Sequence, residues 1–181
     1  MYHPDYQKLA TKFKSKLLPI KVALFDVDGV LTDGRVYYDG EEVGFNRFFN
    51  VRDGYGMNVL REAGIKVGII TGGNSLGVLK RFRENLKVDF LYYGNEDKRQ
   101  AYKDVLSQGY SDNEILYIGD EFFDLPLLKR AGFSASPPTA SPEILEAVDY
   151  VTMARPGMGV VREVIDILRK ARDIVPQVAD F

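Results

Sequence analysis

The sequence predicts one α/β domain: a mostly parallel sheet with helices on both faces and a β-hairpin inserted after the first strand. Three observations predict it. Short apolar runs rich in β-branched residues alternate with amphipathic stretches along nearly the whole chain, the pattern of βαβ units with right-handed crossovers. The first run, Lys21–Val30, ends in Asp26-Val27-Asp28-Gly29, so carboxylates gather where a strand leaves the sheet, the usual ligand position in open α/β folds. The 181 residues contain no long linker, repeat or low-complexity segment, which suits a single core. The expected organisation is one domain over 1–181, with an N-terminal helix (1–18), a hairpin flap (35–50) and a C-terminal tail (173–181).

Each element has a local reason. Tyr6–Leu18 places Tyr6, Leu9, Ala10, Phe13 and Leu17 on one helical face and lysines on the others. Gly29 ends the first strand. Val36–Tyr38 and Glu42–Phe49 read as a hairpin around Asp39-Gly40, a strong tight-turn dipeptide. A helix is expected from about Gly54 to Ala63, stopped by Gly64. Then strand and helix repeat: Lys66–Ile70 before Thr71-Gly72-Gly73, helix Ser75–Leu86, strand Val88–Tyr92, and helix Lys98–Leu106 with Asp97 as its cap. Ser111-Asp112-Asn113-Glu114 has capping-box form ahead of strand Ile115–Ile118. Helix Phe122–Arg130, strand Phe133–Ala135, a short helix opening at Ser141-Pro142, strand Tyr150–Thr152 and amphipathic helix Gly159–Arg172 complete the chain.

Composition narrows the chemistry. The 24 basic and 26 acidic residues leave a net charge of −2, which offers no pull toward nucleic acid or an anionic membrane. No apolar stretch approaches a membrane span, and Lys8, Lys12, Lys14 and Lys16 interrupt any leader-like core; a cytoplasmic protein is expected. There is no cysteine, and the one histidine is His3, at a terminus expected to be mobile. Thiol nucleophiles, disulfides, a Ser-His-Asp triad and a multi-His zinc site are therefore excluded within one chain, leaving carboxylates, Lys or Tyr for proton transfer.

Polar residues at successive strand ends and helix starts, Asp26 and Asp28, Thr71, Lys98 and Asp120, would converge on one crevice in a parallel sheet. That set suits a phosphate and a divalent metal. Hard Mg²⁺ takes carboxylate, carbonyl and water oxygens, which Asp26, Asp120 and a backbone carbonyl near Asp28 can provide. Lys98 would neutralise phosphoryl oxygens and Thr71 would hydrogen-bond one of them. An aspartate can attack phosphorus to form an aspartyl-phosphate, and a second carboxylate can protonate the leaving oxygen and then deprotonate water. Asp26 and Asp28 offer both roles, since side chains two apart in an extended segment share a face. Taken alone, Asp-x-Asp-Gly would read as a solvated turn or a calcium loop, but Thr32, Asp33 and Gly34 do not continue a calcium-loop pattern.

With these residues in order, Phe25-Asp26-Val27-Asp28-Gly29-Val30, Ile70-Thr71-Gly72, Lys98 and Gly119-Asp120-Glu121-Phe122-Phe123-Asp124 resemble the four motifs of haloacid dehalogenase-type phosphatases, which have a Rossmann-like fold. Asp26–Gly34, Phe48–Gly56 and Arg155–Val164 more narrowly resemble the capless 3-deoxy-D-manno-octulosonate 8-phosphate (KDO 8-phosphate) phosphatase family, over roughly Pro19–Arg172. The resemblance implies Asp26 as nucleophile, Asp28 as general acid/base, and Thr71 and Lys98 as phosphoryl ligands. It implies Mg²⁺ on Asp26, the Asp28 backbone carbonyl and Asp120, with Asp124 in support. For the substrate it implies contacts from Asp28, the stretch Asn50-Val51-Arg52-Asp53-Gly54, Asn58, Gly73, Arg81 and Lys98. It also implies a homotetramer in which the hairpin and Gly157-Met158-Gly159 help cover a neighbour's site.

Three positions depart from the family pattern. Thr71-Gly72-Gly73 stands where the family usually has Thr-Gly-Arg, Asn58 stands where a basic residue is common, and either Arg81 or Arg83 can align with the second arginine. The expected function is Mg²⁺-dependent hydrolysis of KDO 8-phosphate in lipopolysaccharide precursor synthesis. The alternatives are a nonulosonate 9-phosphatase, a phosphomutase, a phospho-receiver signalling domain and a catalytically dead subunit.

Overall fold

The computed structural model describes residues 4–178; His3 and the end of the C-terminal tail lie outside the described residues. Helix α1 (Tyr6–Lys12) leads into α2 (Lys14–Leu17), β1 (Val22–Phe25) and a flap made of β2 (Tyr37–Tyr38), α3 (Gly40–Val43) and β3 (Phe45–Asn46). Then follow α4 (Val51–Glu62), β4 (Lys66–Thr71), α5 (Leu76–Leu79), β5 (Phe90–Tyr93), α6 (Arg99–Leu106), β6 (Ile115–Ile118), α7 (Leu125–Leu128), β7 (Phe133–Ser136), α8 (Pro142–Ala147), β8 (Tyr150–Val151) and α9 (Val160–Ala171). The main sheet has six strands in the order β5-β4-β1-β6-β7-β8, with every neighbouring pair parallel. Phe25 sits in register with Ile69 on one side and Ile118 on the other, so β1 and β6 end at the same level and β4 runs two residues further, to Thr71.

The strands feed two cores, because successive side chains of a strand face opposite ways. Ala23, Phe25, Val67, Ile69, Leu116 and Ile118 join the layer of α1, α4 and α9, with Ala10, Met57, Leu60, Val164 and Leu168. Val22, Leu24, Ile115 and Tyr117 join the layer of α6, α7 and α8, with Tyr102, Val105, Leu128 and Ile144. A strand buried on both faces reads as an unbroken apolar run, as Val22–Phe25 does.

The elements differ from expectation where side chains have other work. The N-terminal helix breaks at Phe13, whose ring packs edge-on against Phe133 at 5.2 Å and Tyr150 at 6.0 Å. Asp39-Gly40 is not a two-residue turn: it opens the helical turn α3, closed by Gly44 N–H on the Gly40 carbonyl at 2.8 Å. Helix α4 begins three residues earlier than expected, because Asn50 caps it by accepting the Arg52 N–H. Helix α5 passes into a wider π turn over Lys80–Asn85. The stretch after β6 starts as a 3₁₀ turn, Phe122–Asp124, because the Asp124 carboxylate folds back onto the N–H groups of Asp120 and Glu121. β1 itself stops at Phe25, so Asp28 lies in the turn beyond it rather than on the strand.

Candidate active site

The carboxyl ends of β1 and β6 carry the acids. Asp26 N–H still bonds the Ile118 carbonyl at 2.9 Å, which ties its position to the sheet. Gly29 follows with φ of +86°, and a Cβ there would lie 2.0 Å from Asp120 Oδ2. Glycine thus solves two problems: the left-handed turn and the approach of the β6 acid.

Lys98, at the start of α6, is buried between two of these acids. Its Nζ is 2.7 Å from Asp26 Oδ1 and 2.6 Å from Asp124 Oδ1, and it sits 4.6 Å from the centre of the Phe123 ring. Tyr117 donates its hydroxyl hydrogen to the same Asp124 oxygen. Burial works against the Lys98 charge, but Asp26 and Asp124 more than offset it and raise its pKa. Asp26, Asp120 and Asp124 bring oxygens within 4.8 Å of one another. Burial pushes the Asp26 carboxyl well above its ordinary value; Lys98 pulls it back, and Asp124 and Asp120 push it further. Burial and repulsion from Asp124 raise Asp120 to about 7. Asp120 Oδ1 is buried without a partner. Hard carboxylate oxygens crowded in this way, with one orphaned, fit a Mg²⁺-sized dication that relieves their repulsion.

Thr71 ends β4 beside this group, buried, with its hydroxyl oxygen accepting the Gly73 N–H at 3.1 Å. Asp28 pairs with the flap. Arg47 Nη2 donates to Asp28 Oδ2 at 3.0 Å, its Nε lies 2.6 Å from Oδ1, and its Nη1 donates to Ser75 Oγ at 2.8 Å. Arg47 is 7 % exposed. A cleft of about 540 Å³ opens between the flap and the 73–76 segment, with Arg47 and Gly73 on its wall.

The expected substrate stretch separates by position. Val51 and Arg52 are exposed on the first turn of α4. Asn50 donates from Nδ2 to the Gly157 carbonyl at 3.1 Å, joining that turn to the Gly157-Met158-Gly159 segment. Asp53 is buried; its Oδ1 accepts the Arg162 N–H of α9 at 2.7 Å, joining two helices, while its Oδ2 is buried without a partner. Gly54 is buried as well, and a Cβ there would lie 2.5 Å from Arg81 Nη2. Asn58 is half-buried along α4. Arg81 lies over Phe49 and bonds Asn85, whereas Arg83 turns to Tyr93 at the sheet edge; of the two, Arg81 faces α4.

Arg47, Ser75, Tyr117 and Phe123 were not legible as site residues. Tyr117 is marked only by belonging to the strand that precedes Asp120. Arg47 is one charge in a flap whose Tyr38, Phe45 and Phe48 face solvent, and nothing in its spacing announces that it turns inward.

Residues 91–164 match the model of the haloacid dehalogenase-like hydrolases. The chain is 36% identical over 170 residues to the KDO 8-phosphate phosphatase of Salmonella typhi, covering 92% of this chain and 88% of that one. The crystal structure of the Yersinia pestis KDO 8-phosphate phosphatase superposes with a TM-score of 0.83 at 36% identity, over 88% of this chain and 86% of that one. The Moraxella catarrhalis phosphatase, solved with a magnesium ion, a phosphate ion and KDO, gives 0.82 at 34% identity, over 89% and 92%. Identity at this level over most of both chains is family kinship rather than shared architecture: the chain belongs to the KDO 8-phosphate phosphatase family of haloacid dehalogenase-like phosphoric monoester hydrolases.

Proposed function

We propose that this enzyme hydrolyses KDO 8-phosphate to KDO and inorganic phosphate, with Mg²⁺, in lipopolysaccharide precursor synthesis. The observation that carries the reading is the buried Asp26–Lys98–Asp124 group beside Asp120, at strand ends held in register, in a chain similar over most of its length to phosphatases of that substrate.

Asp26 is the nucleophile. Its carboxylate attacks phosphorus as the sugar oxygen leaves, forming an aspartyl-phosphate. Asp28 gives the leaving oxygen its proton, then takes one from the water that attacks the phosphorus and frees Asp26. Lys98 and Thr71 hold phosphoryl oxygens while charge spreads over them. Asp26, Asp120 and the Asp28 carbonyl hold Mg²⁺, with Asp124 in support; the bound ion supplies positive charge against the phosphoryl oxygens. Asp124 also fixes Lys98, and Tyr117 fixes Asp124.

The working form is a cytoplasmic homotetramer. The exposed flap aromatics support association, with Tyr37 stacked on Phe48 at 5.3 Å and Tyr38 edge-on to Phe45. Among the described residues, no helix is long and apolar enough to cross a membrane. Gly73, which carries no cation, favours a second reading as a nonulosonate 9-phosphatase. Phosphate release from KDO 8-phosphate and from a nonulosonate 9-phosphate, each with Mg²⁺ and with EDTA, separates the two. Strong preference for the eight-carbon substrate, lost in EDTA and restored by Mg²⁺, is expected. Preference for the nine-carbon substrate would overturn the substrate, and full activity in EDTA would overturn the metal.

A further inference from the structure

The flap presents Tyr38, Phe45 and Phe48 to solvent but buries Arg47 against the crevice. The Arg47 guanidinium already pairs with a carboxylate there: Nη2 donates to Asp28 Oδ2, Nε lies close to Oδ1 without a hydrogen bond, and Nη1 donates to Ser75 Oγ. A planar fork held at one edge by a hydroxyl is well shaped for carboxylate recognition. Its place depends on Gly73. A Cβ at that position would lie 3.3 Å from Arg47 Nη2 and 3.3 Å from Asp28 Oδ2, close enough to press on both partners. The missing side chain at 73 and the inward arginine at 47 therefore fit together as a pair.

The electrostatics give this arginine a task. Asp26, Asp28, Asp120 and Asp124 repel a second anionic group on a substrate, and Lys98 is committed to Asp26 and Asp124. Arg81 is held over Phe49 and by Asn85. Arg47 stands instead on the wall of the cleft between flap and sheet.

We propose that Arg47 is the specificity-determining residue of this enzyme, a flap-borne guanidinium that binds the carboxylate of an acidic sugar phosphate in the space left by Gly73. In the free enzyme Asp28 occupies its fork. An entering substrate carboxylate exchanges with Asp28 and returns the oxygens of Asp28 to the reaction. The inference rests on the functional reading above and adds the group that selects acidic sugars over neutral ones.

The test compares KDO 8-phosphate with mannose 6-phosphate, a sugar phosphate without a carboxylate, both with Mg²⁺. In Arg47→Ala, kcat/KM for KDO 8-phosphate should fall about 30-fold, mostly through KM, as expected when a charge-assisted contact is lost. For mannose 6-phosphate it should move less than about threefold, because that substrate never used the contact. Arg47→Lys, which keeps the charge without the fork, should fall between wild type and Arg47→Ala. Gly73→Ala, which crowds Nη2 with Arg47 present, should lower the same preference and serves if Arg47→Ala does not fold. Equal losses on both substrates, or no loss on either, would overturn the role of Arg47. Wild-type preference for mannose 6-phosphate would instead overturn the functional reading, so the two failures are distinct.

Discussion

At the mouth of the sheet, Asp26, Asp120 and Asp124 crowd one another around Lys98. At the seam between α4 and α9 Asp53 is buried too, and on α9 so is Glu163, but each accepts from the backbone, Asp53 through Oδ1 alone. Asp53 takes the Arg162 N–H, while Glu163 takes the N–H groups of Met153 and Ala154 and the Tyr150 hydroxyl. Burial alone therefore does not mark a reactive acid. Carboxylates that face one another store repulsion which a metal or phosphoryl group can relieve. Carboxylates that face main-chain donors tie segments together, and their energy appears as stability.

That contrast breaks most sharply at Asp26. Asp26→Asn should lower turnover at least about 10³-fold, as loss of a nucleophile does, with an unchanged circular dichroism spectrum. Asp53→Asn, at the seam, should retain turnover within about tenfold. A fully active Asp26→Asn enzyme would sink the assignment of the nucleophile.

The next effect belongs to α9 and the segment after β8. Glu163→Ala strands two N–H groups and a hydroxyl that now meet the carboxylate at 2.7 to 2.9 Å, at a cost of about 3 kcal/mol. Urea denaturation should show the loss, while turnover per folded molecule stays within about threefold. Unchanged stability would mean that the 153–154 segment does not depend on Glu163.

The smallest effect is pH-dependent. Desolvation raises Asp53 to about 6, against the opposing pull of the Arg162 N–H. An acid raised in the folded state stabilises fully below its unfolded value and loses that contribution as pH rises through the folded one. Between pH 4.5 and 7 the wild type should therefore lose about 2 kcal/mol through Asp53. Asp53→Asn should flatten the dependence by that amount in denaturation midpoints taken at the two pH values. An identical slope in both proteins would show that Asp53 does not titrate in this range.

Much of this was legible along the chain because it is local. The apolar run of β1 announced a buried strand, and Ile115–Ile118 was read to the residue. Acids directly after these strands had to share one sheet edge once the strands were parallel. Boundaries were harder where a side chain bonds its own backbone: Asn50 draws α4 forward, and Asp124 tightens the turn after β6.

What stayed hidden needed distance in three dimensions. Asp53 and Arg162 are far apart in the chain, and so are Arg47, Asp28 and Gly73; no periodicity connects them. The alternation of strands and helices and the acids at strand ends follow from short-range pattern, since periodicity and strand-end polarity act over a few residues. The choice between a carboxylate that clamps a helix and one that meets a substrate belongs to packing, because it depends on which donors the fold brings to each oxygen. Gly73 reads as a lost cation in the sequence; in the folded chain it leaves room beside the Arg47–Asp28 pair.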